Sequence, residues 1–162
     1  MLAWRALMEL HPCVVDALER HLQSGGAVAL DWYEVLRRLS RAPGASMRMQ
    51  DLAGVLLLSR SGVTRLADRL ETAGLIGRRT CPADRRGTLA VLTDAGREAL
   101  ASAGPMVYEA LQEHFARHLT RADARALLPI LEHVLQAERC SAGSAAPAAP
   151  QRTTSNRREL VR

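Results

Sequence analysis

Lysine is absent from this chain, so all 22 of its basic residues are arginines. A genome rich in G and C favours arginine codons, so the absence alone does not separate codon bias from the bidentate chemistry of guanidinium on phosphate or guanine. Cysteine is scarce. Cys13, Cys81 and Cys140 are an odd number without CxxC spacing, which excludes a zinc ribbon and a disulfide framework. No apolar run approaches the roughly 20 residues of a membrane span. The first residues carry Arg5, Glu9 and His11 among their apolar neighbours, unlike a signal peptide, and the expectation is a cytoplasmic protein with no membrane partner. A nucleophile elbow, a phosphate-cradling glycine loop and a catalytic carboxylate pair are all missing. These absences weigh against an enzyme and imply no cofactor and no catalytic residue.

What is present is arginine concentrated in one place. The 162 residues are about one domain's worth of chain, long enough to bury a core. A net charge of +5 is modest, so position matters more than total. From Arg60 to Arg86 seven arginines (60, 65, 69, 78, 79, 85, 86) stand against Asp68, Glu71 and Asp84, a local excess of four. From Ser141 onward four arginines stand against one glutamate. A basic central segment and a basic tail favour a polyanionic partner.

Leu7, Leu10, Val14, Leu18 and Leu22 share a stripe that predicts a helix over 3–23, kinked or restarted at Pro12 and ended by Ser24-Gly25-Gly26. Asp31 can cap a second helix carrying Val35, Leu36 and Leu39, which stops near Ala42-Pro43-Gly44. A short helix is expected over 50–57 and another over about 61–73, closed by Gly74. Strands over 75–80 and 88–92 flank a tip at Asp84, Arg85, Arg86 and Gly87. Thr93 or Asp94 can cap a long helix, interrupted or bent at Gly104-Pro105 and running to Leu119. Thr120 caps a last helix bent at Pro129. After Arg139 the chain is too poor in apolar residues to fold and reads as a disordered basic tail. The outer helices hold more apolar surface than the small central unit can cover, which suggests mutual burial between two copies. The expected divisions are a dimerisation helix over 1–28, a DNA-reading region over 29–92, dimerisation helices over 93–139 and a tail over 140–162.

With Val63 at zero on a helical wheel, Leu66, Ala67 and Leu70 fall within about 60° of it. Ser61, Arg65, Asp68 and Thr72 fall opposite, with Thr64 and Arg69 to the sides. One face is built to pack; the other offers hydroxyls and a guanidinium. Alone, this describes an ordinary solvent-facing helix. A hairpin with a DRRG tip directly after it changes the reading, because a carboxylate at a tight turn can orient Arg85 or Arg86. The expected fold is mainly α with a small β-wing: a winged helix-turn-helix DNA-binding unit flanked by long dimerisation helices, with double-stranded DNA as partner.

The strings SRSGVTRLADRLETAGLI and DRRGTLAVLTDAGRE resemble the MarR (multiple antibiotic resistance regulator) family of winged-helix repressors, over roughly residues 5–138. The resemblance implies an obligate homodimer joined through its first and last helices, and a transcriptional repressor of a palindromic operator. By matching position it implies recognition-helix contacts at Ser59, Ser61, Thr64 and Arg65, a wing arginine at Arg86 oriented by Asp84 with Arg85 beside it, and Arg78 and Arg79 near the DNA backbone.

All five aromatics (Trp4, Trp32, Tyr33, Tyr108, Phe115) lie outside residues 49–92. The resemblance implies a small aromatic or phenolic effector between the first, second and fifth helices, for which Trp32, Tyr33 and Tyr108 are lining residues; core and dimer packing is the other reading of these rings. A second form of the same regulator would sense metal or oxidant. His114 and His118 have the i, i+4 spacing that can share a metal, with Glu34 or His21 to complete a site, or else they are interfacial hydrogen-bonding groups. Cys13 in the first helix and Cys81 beside the wing are the thiol candidates. A winged-helix module that binds protein instead of DNA has no need of an arginine-rich tip.

Overall fold

The structure, a computed structural model, describes residues 1–56, 59–81 and 84–144. It comprises two compact units, Met1–His118 and Leu119–Arg162. In the first, helix α1 (Leu2–Ser24) and helix α2 (Leu30–Arg41) are followed by a single 3-10 turn (Pro43–Ala45), strand β1 (Ser46–Arg48), helix α3 (Met49–Leu56) and helix α4 (Arg60–Thr72). Strands β2 (Ile76–Cys81) and β3 (Asp84–Leu92) then lead into helix α5 (Asp94–His114) and a 3-10 turn at Ala116–His118. The second unit contains helix α6 (Arg121–Ser144). The expected class, mainly helical with a small β-wing, is what the chain forms.

Two clusters of buried side chains organise the first unit. The larger joins Val35, Leu36 and Leu39 of α2, Leu52 and Ala53 of α3, Val63, Leu66, Ala67 and Leu70 of α4, and Ile76, Ala90 and Leu92 of the sheet. The smaller joins Leu18 and Leu22 of α1 to Ala103, Val107 and Ala110 of α5. Helix α2 serves both: Trp32 packs on the first cluster, Tyr33 and Leu30 on the second. Each buried leucine contributes about 1.5–3 kcal/mol of transfer free energy.

Local signals fix several boundaries. Gly25 caps α1, and Gly26 takes φ +67°, the left-handed geometry a glycine adopts without cost. Gly74 does the same after α4, at φ +72°. Thr93 caps α5 as expected: its Oγ1 accepts from Gly96 N at 3.0 Å and donates to Gly74 O at 2.7 Å. Thr120 caps α6, accepting from Asp123 N at 3.1 Å, while Asp123 Oδ2 accepts from the Thr120 amide at 2.9 Å. This reciprocal pair is a capping box with aspartate in the third position. The Thr120 hydroxyl, and after it the Thr120 amide, hold the Asp123 carboxyl below the usual aspartate range.

Other expectations are corrected. Asp31 is not the cap of α2: that residue is Ala29, and the first amide of the helix, Leu30 N, donates to Glu19 Oε1 of α1 at 3.2 Å. Helix α5 is not interrupted at Gly104-Pro105, and it ends at His114 instead of reaching Leu119. A helix-interior proline costs about 3 kcal/mol; the burial of Ala103, Val107 and Ala110 on either side of Pro105 outweighs it. Pro12 and Pro129 lie inside helices that continue past them, as a bend at either position allows. Strand β1 has no counterpart in the sequence pattern, and α6 continues to Ser144, past Arg139, where the composition predicts the start of a tail. Residues 145–162 lie outside the described residues.

Candidate nucleic-acid interface

The α4 helix begins where Ser59 Oγ accepts from Gly62 N at 3.1 Å, filling one of the orphan donors of the first turn. Its inner face (Val63, Leu66, Ala67, Leu70) is buried, and Ser61, Thr64, Arg65, Asp68 and Thr72 are exposed, as the wheel requires. Ser59 and Ser61 share a hydroxyl–hydroxyl hydrogen bond of 3.1 Å, so both sit at the helix mouth beside its free amides. Arg65 is exposed and makes no hydrogen bond or ion pair among the described residues. One edge of α4 therefore presents two serines, a threonine and a guanidinium to solvent.

The sheet order is β1-β3-β2, antiparallel throughout. Strand β1 covers β3 only from Leu89 to Val91, whereas β2 and β3 remain paired outward through Thr80↔Thr88 to Cys81↔Asp84. Residues 84–88 thus extend beyond the third strand as a two-stranded ribbon, about 16 Å at 3.3 Å per residue. A register irregularity between Thr80 and Cys81 falls within this ribbon, the kind of local break that re-aims a strand. Asp84, Arg85 and Arg86 belong to β3; their side chains, with Pro82 and Ala83, lie outside the described residues.

The basic segment is less uniform than its arginine count. Arg79 is exposed. Arg78 turns back onto α4, its Nη2 donating to Asp68 Oδ1 at 2.7 Å and to Thr64 O at 3.4 Å, with Nε 3.4 Å from Glu71 Oε2. Held between two carboxylates, Arg78 fastens β2 to α4 and is not an outward-facing cation. The signal for this was legible, because Thr64, Asp68 and Glu71 recur at i, i+4 and i+7 and so line one edge of the helix. Arg69 is likewise engaged, with Asp31 Oδ2 at 3.2 Å and the Trp32 ring centroid at 5.6 Å. Its partner lies 38 residues away, and no local pattern announces it.

The sensing candidates do not converge. Trp32 and Tyr33 pack into different clusters, and Tyr108 is 64% exposed on α5. His114 ends α5, and Phe115 leaves helical geometry at φ −136°, so His114 and His118 do not share a helical face. Among the described residues no group of three His, Cys, Asp or Glu side chains could hold a metal ion. His21 Nε2 instead approaches Glu109 Oε2 at 3.8 Å, and Glu34 holds Arg37 at 2.6 Å. Cys13 is an exposed free thiol and Cys81 a buried one.

A recognition helix stacked on a helical pair and followed by a projecting β-ribbon defines a winged helix-turn-helix protein. The MarR family model matches residues 32–88. Among solved structures, the chain is 36% identical to AbsC, a MarR family transcriptional regulator from Streptomyces coelicolor, covering 83% of this chain and 93% of that one with a TM-score of 0.73. It is 32% identical to Sco3205, a MarR family transcriptional regulator from the same organism solved in complex with DNA (84% and 85% covered, TM-score 0.77). It is 25% identical to a mutant of MarR from E. coli complexed with operator DNA (83% and 94% covered, TM-score 0.74). The curated proteins contain no match to the sequence. The chain belongs to the MarR family of transcriptional regulators. No helix among the described residues is long and apolar enough to cross a membrane.

Proposed function

We propose that the protein is a homodimeric repressor of a palindromic operator, with α4 of each copy in the major groove and each β2–β3 ribbon over the adjacent minor groove. The observation that carries this reading is the two-sidedness of α4, whose inner face is wholly buried while Ser61, Thr64 and Arg65 remain in solvent beside a projecting ribbon. Ser59, Ser61 and Thr64 supply hydroxyls to base edges or phosphates, and Arg65 suits the O6 and N7 of a guanine. Arg85 and Arg86 at the ribbon, oriented by Asp84, supply the minor-groove contact, with Arg79 on the backbone. Arg78 contributes by bracing α4. Two similar regulators, Sco3205 and MarR from E. coli, were solved with DNA, which supports the same partner here.

Uncovered apolar side chains support the dimer. Leu2, Trp4, Leu7, Met8 and Leu10 line the first turns of α1, and α6 carries Leu128, Ile130, Leu131, Val134 and Leu135. Exposed apolar side chains in such number on each of the two helices call for a partner. These helices are the dimerisation segments of the reading, and a two-fold pair matches a two-fold operator. Trp32 packs on one cluster of the first unit and Tyr33 on the other, so a small aromatic or phenolic ligand bound against α2 would act on both. Such a ligand releases DNA only by favouring one spacing of the two α4 helices over another.

The test is a gel-shift titration on a palindromic fragment from the gene's own promoter region. Affinity is expected to fall by roughly a thousandfold or more between 50 and 200 mM salt. Arg65→Ala is expected to cost about 1–3 kcal/mol per half-site and to relax the preference at one base pair. Salt-independent binding contradicts the reading; an Arg65→Ala loss that is equal on every sequence reassigns that residue to a phosphate.

A further inference from the structure

Two contacts tie the recognition helix to α2 by way of a single residue that faces neither DNA groove in the reading above. Arg69 sits in the last turn of α4. Its Nη2 donates to Asp31 Oδ2 at 3.2 Å, and its guanidinium carbon lies 5.6 Å from the centre of the Trp32 ring. Asp31 is itself fixed, because its other oxygen, Oδ1, accepts from Trp32 N at 2.8 Å. The Trp32 ring packs on the cluster that buries the inner face of α4, and its Nε1 is buried without a hydrogen-bond partner among the described residues. Packing on one side and a guanidinium near the ring therefore set the indole. Asp31, Trp32 and Arg69 form a clasp between the start of α2 and the end of α4.

We propose that Arg69 is a positioning residue for DNA binding: it sets the angle of α4 through Asp31 and Trp32 and does not itself contact DNA. The proposal rests on α4 being the helix that enters the major groove. The geometry favours it because α2 also holds Tyr33 and Leu30 against the α1–α5 cluster. A change there reaches α4 through the clasp. The ion pair is about half exposed, with side-chain exposures of 58% and 45%, so a large effect on folding is not expected. Helix aim is the sensitive quantity, since an adjusted angle displaces every contact at the far end of α4.

The charge signs allow a decisive test. If Arg69 touched phosphate, Asp31→Asn would remove a nearby negative charge and tighten DNA binding. With the clasp as proposed, Asp31→Asn weakens binding, and Arg69→Ala weakens it by about tenfold, the worth of one ion pair and one cation–π contact together. The salt slope of log K is expected to stay unchanged in Arg69→Ala, whereas loss of a phosphate contact lowers it by about 0.9 per copy. Exchanging the charges, Asp31→Arg with Arg69→Asp, is expected to restore part of the affinity. In a Trp4→Phe background, where Trp32 is the one remaining tryptophan, Arg69→Ala is expected to increase acrylamide quenching of the indole. Tighter binding by Asp31→Asn, a reduced salt slope, or quenching that does not respond each overturns the proposal. Failure of the unmutated protein to bind its promoter fragment overturns the function reading instead, and the quenching result still decides whether the clasp exists.

Discussion

Replacing Arg86 by alanine is expected to lower operator affinity by roughly two to four orders of magnitude while leaving the dimer and the melting temperature unchanged. A charge-assisted hydrogen bond is worth about 1.5–3 kcal/mol when its partner goes unpaired. A two-fold complex loses two of them, and every 1.4 kcal/mol is a factor of ten. Among its described side chains strand β3 enters the core only at Ala90 and Leu92, four residues and more beyond Arg86, so folding is expected to be indifferent to the change. The ribbon from Asp84 to Thr88 extends beyond the pairing with β1, and in the proposed reading that projection is what lets its arginines enter a narrow groove. The measurement is a titration of labelled operator by variant and parent, with melting curves alongside. An affinity within threefold of the parent removes the wing from the interface.

The second large effect concerns stability. Gly96 lies in the first turn of α5, where a Cβ would be driven into the carbonyl oxygen of Leu75 and would stand 2.8 Å from Leu92 Cδ1. Alanine is otherwise better than glycine inside a helix by up to about 1 kcal/mol. Here the obstacle is backbone. The Leu75 carbonyl also accepts from Thr93 N at 3.2 Å, so it cannot retreat without loosening the bond that joins the α4–β2 turn to the start of α5. Gly96→Ala is therefore expected to destabilise the protein by about 1–3 kcal/mol, a fall in melting temperature of roughly 2–12 °C for a chain of this size. Calorimetric or dichroism melting curves check it. A rise in melting temperature means that the turns are free to separate and that Thr93 does not lock them together.

How much was legible in the chain depends on how far apart the interacting groups are. Val63, Leu66, Ala67 and Leu70 repeat at helical spacing within eight residues, and the buried face of α4 follows from that repeat alone. Thr93, Thr120 and Gly74 act on amides or dihedrals within three residues, so their roles could be assigned before any fold was known. Strand β1 was invisible because three residues show no alternation, and it exists only by pairing with Leu89–Val91 more than forty positions away. Separation in sequence also hid the Glu19 side chain that satisfies Leu30 N, 11 residues on, and the Asp31–Arg69 pair, 38 residues apart. Pro105 misled for a related reason: its local penalty is real, but the packing of α5 on α1 that overrides it is not written near residue 105. On α4, Arg65 and Ser61 were readable as a solvent face, whereas Ser59 was reached only through the family resemblance. The acidic edge that holds Arg78 is also written in the spacing of Asp68 and Glu71, but the engagement of Arg69 is not, since its partner Asp31 stands 38 residues away.

The most direct measurement is the number of protein chains bound to one operator duplex, determined by sedimentation or mass photometry of the complex at moderate salt. Two copies per duplex, already paired before DNA is added, is the expected result. A single copy bound with full affinity, or a free protein that sediments as a monomer, contradicts the two-fold grip on which the function rests.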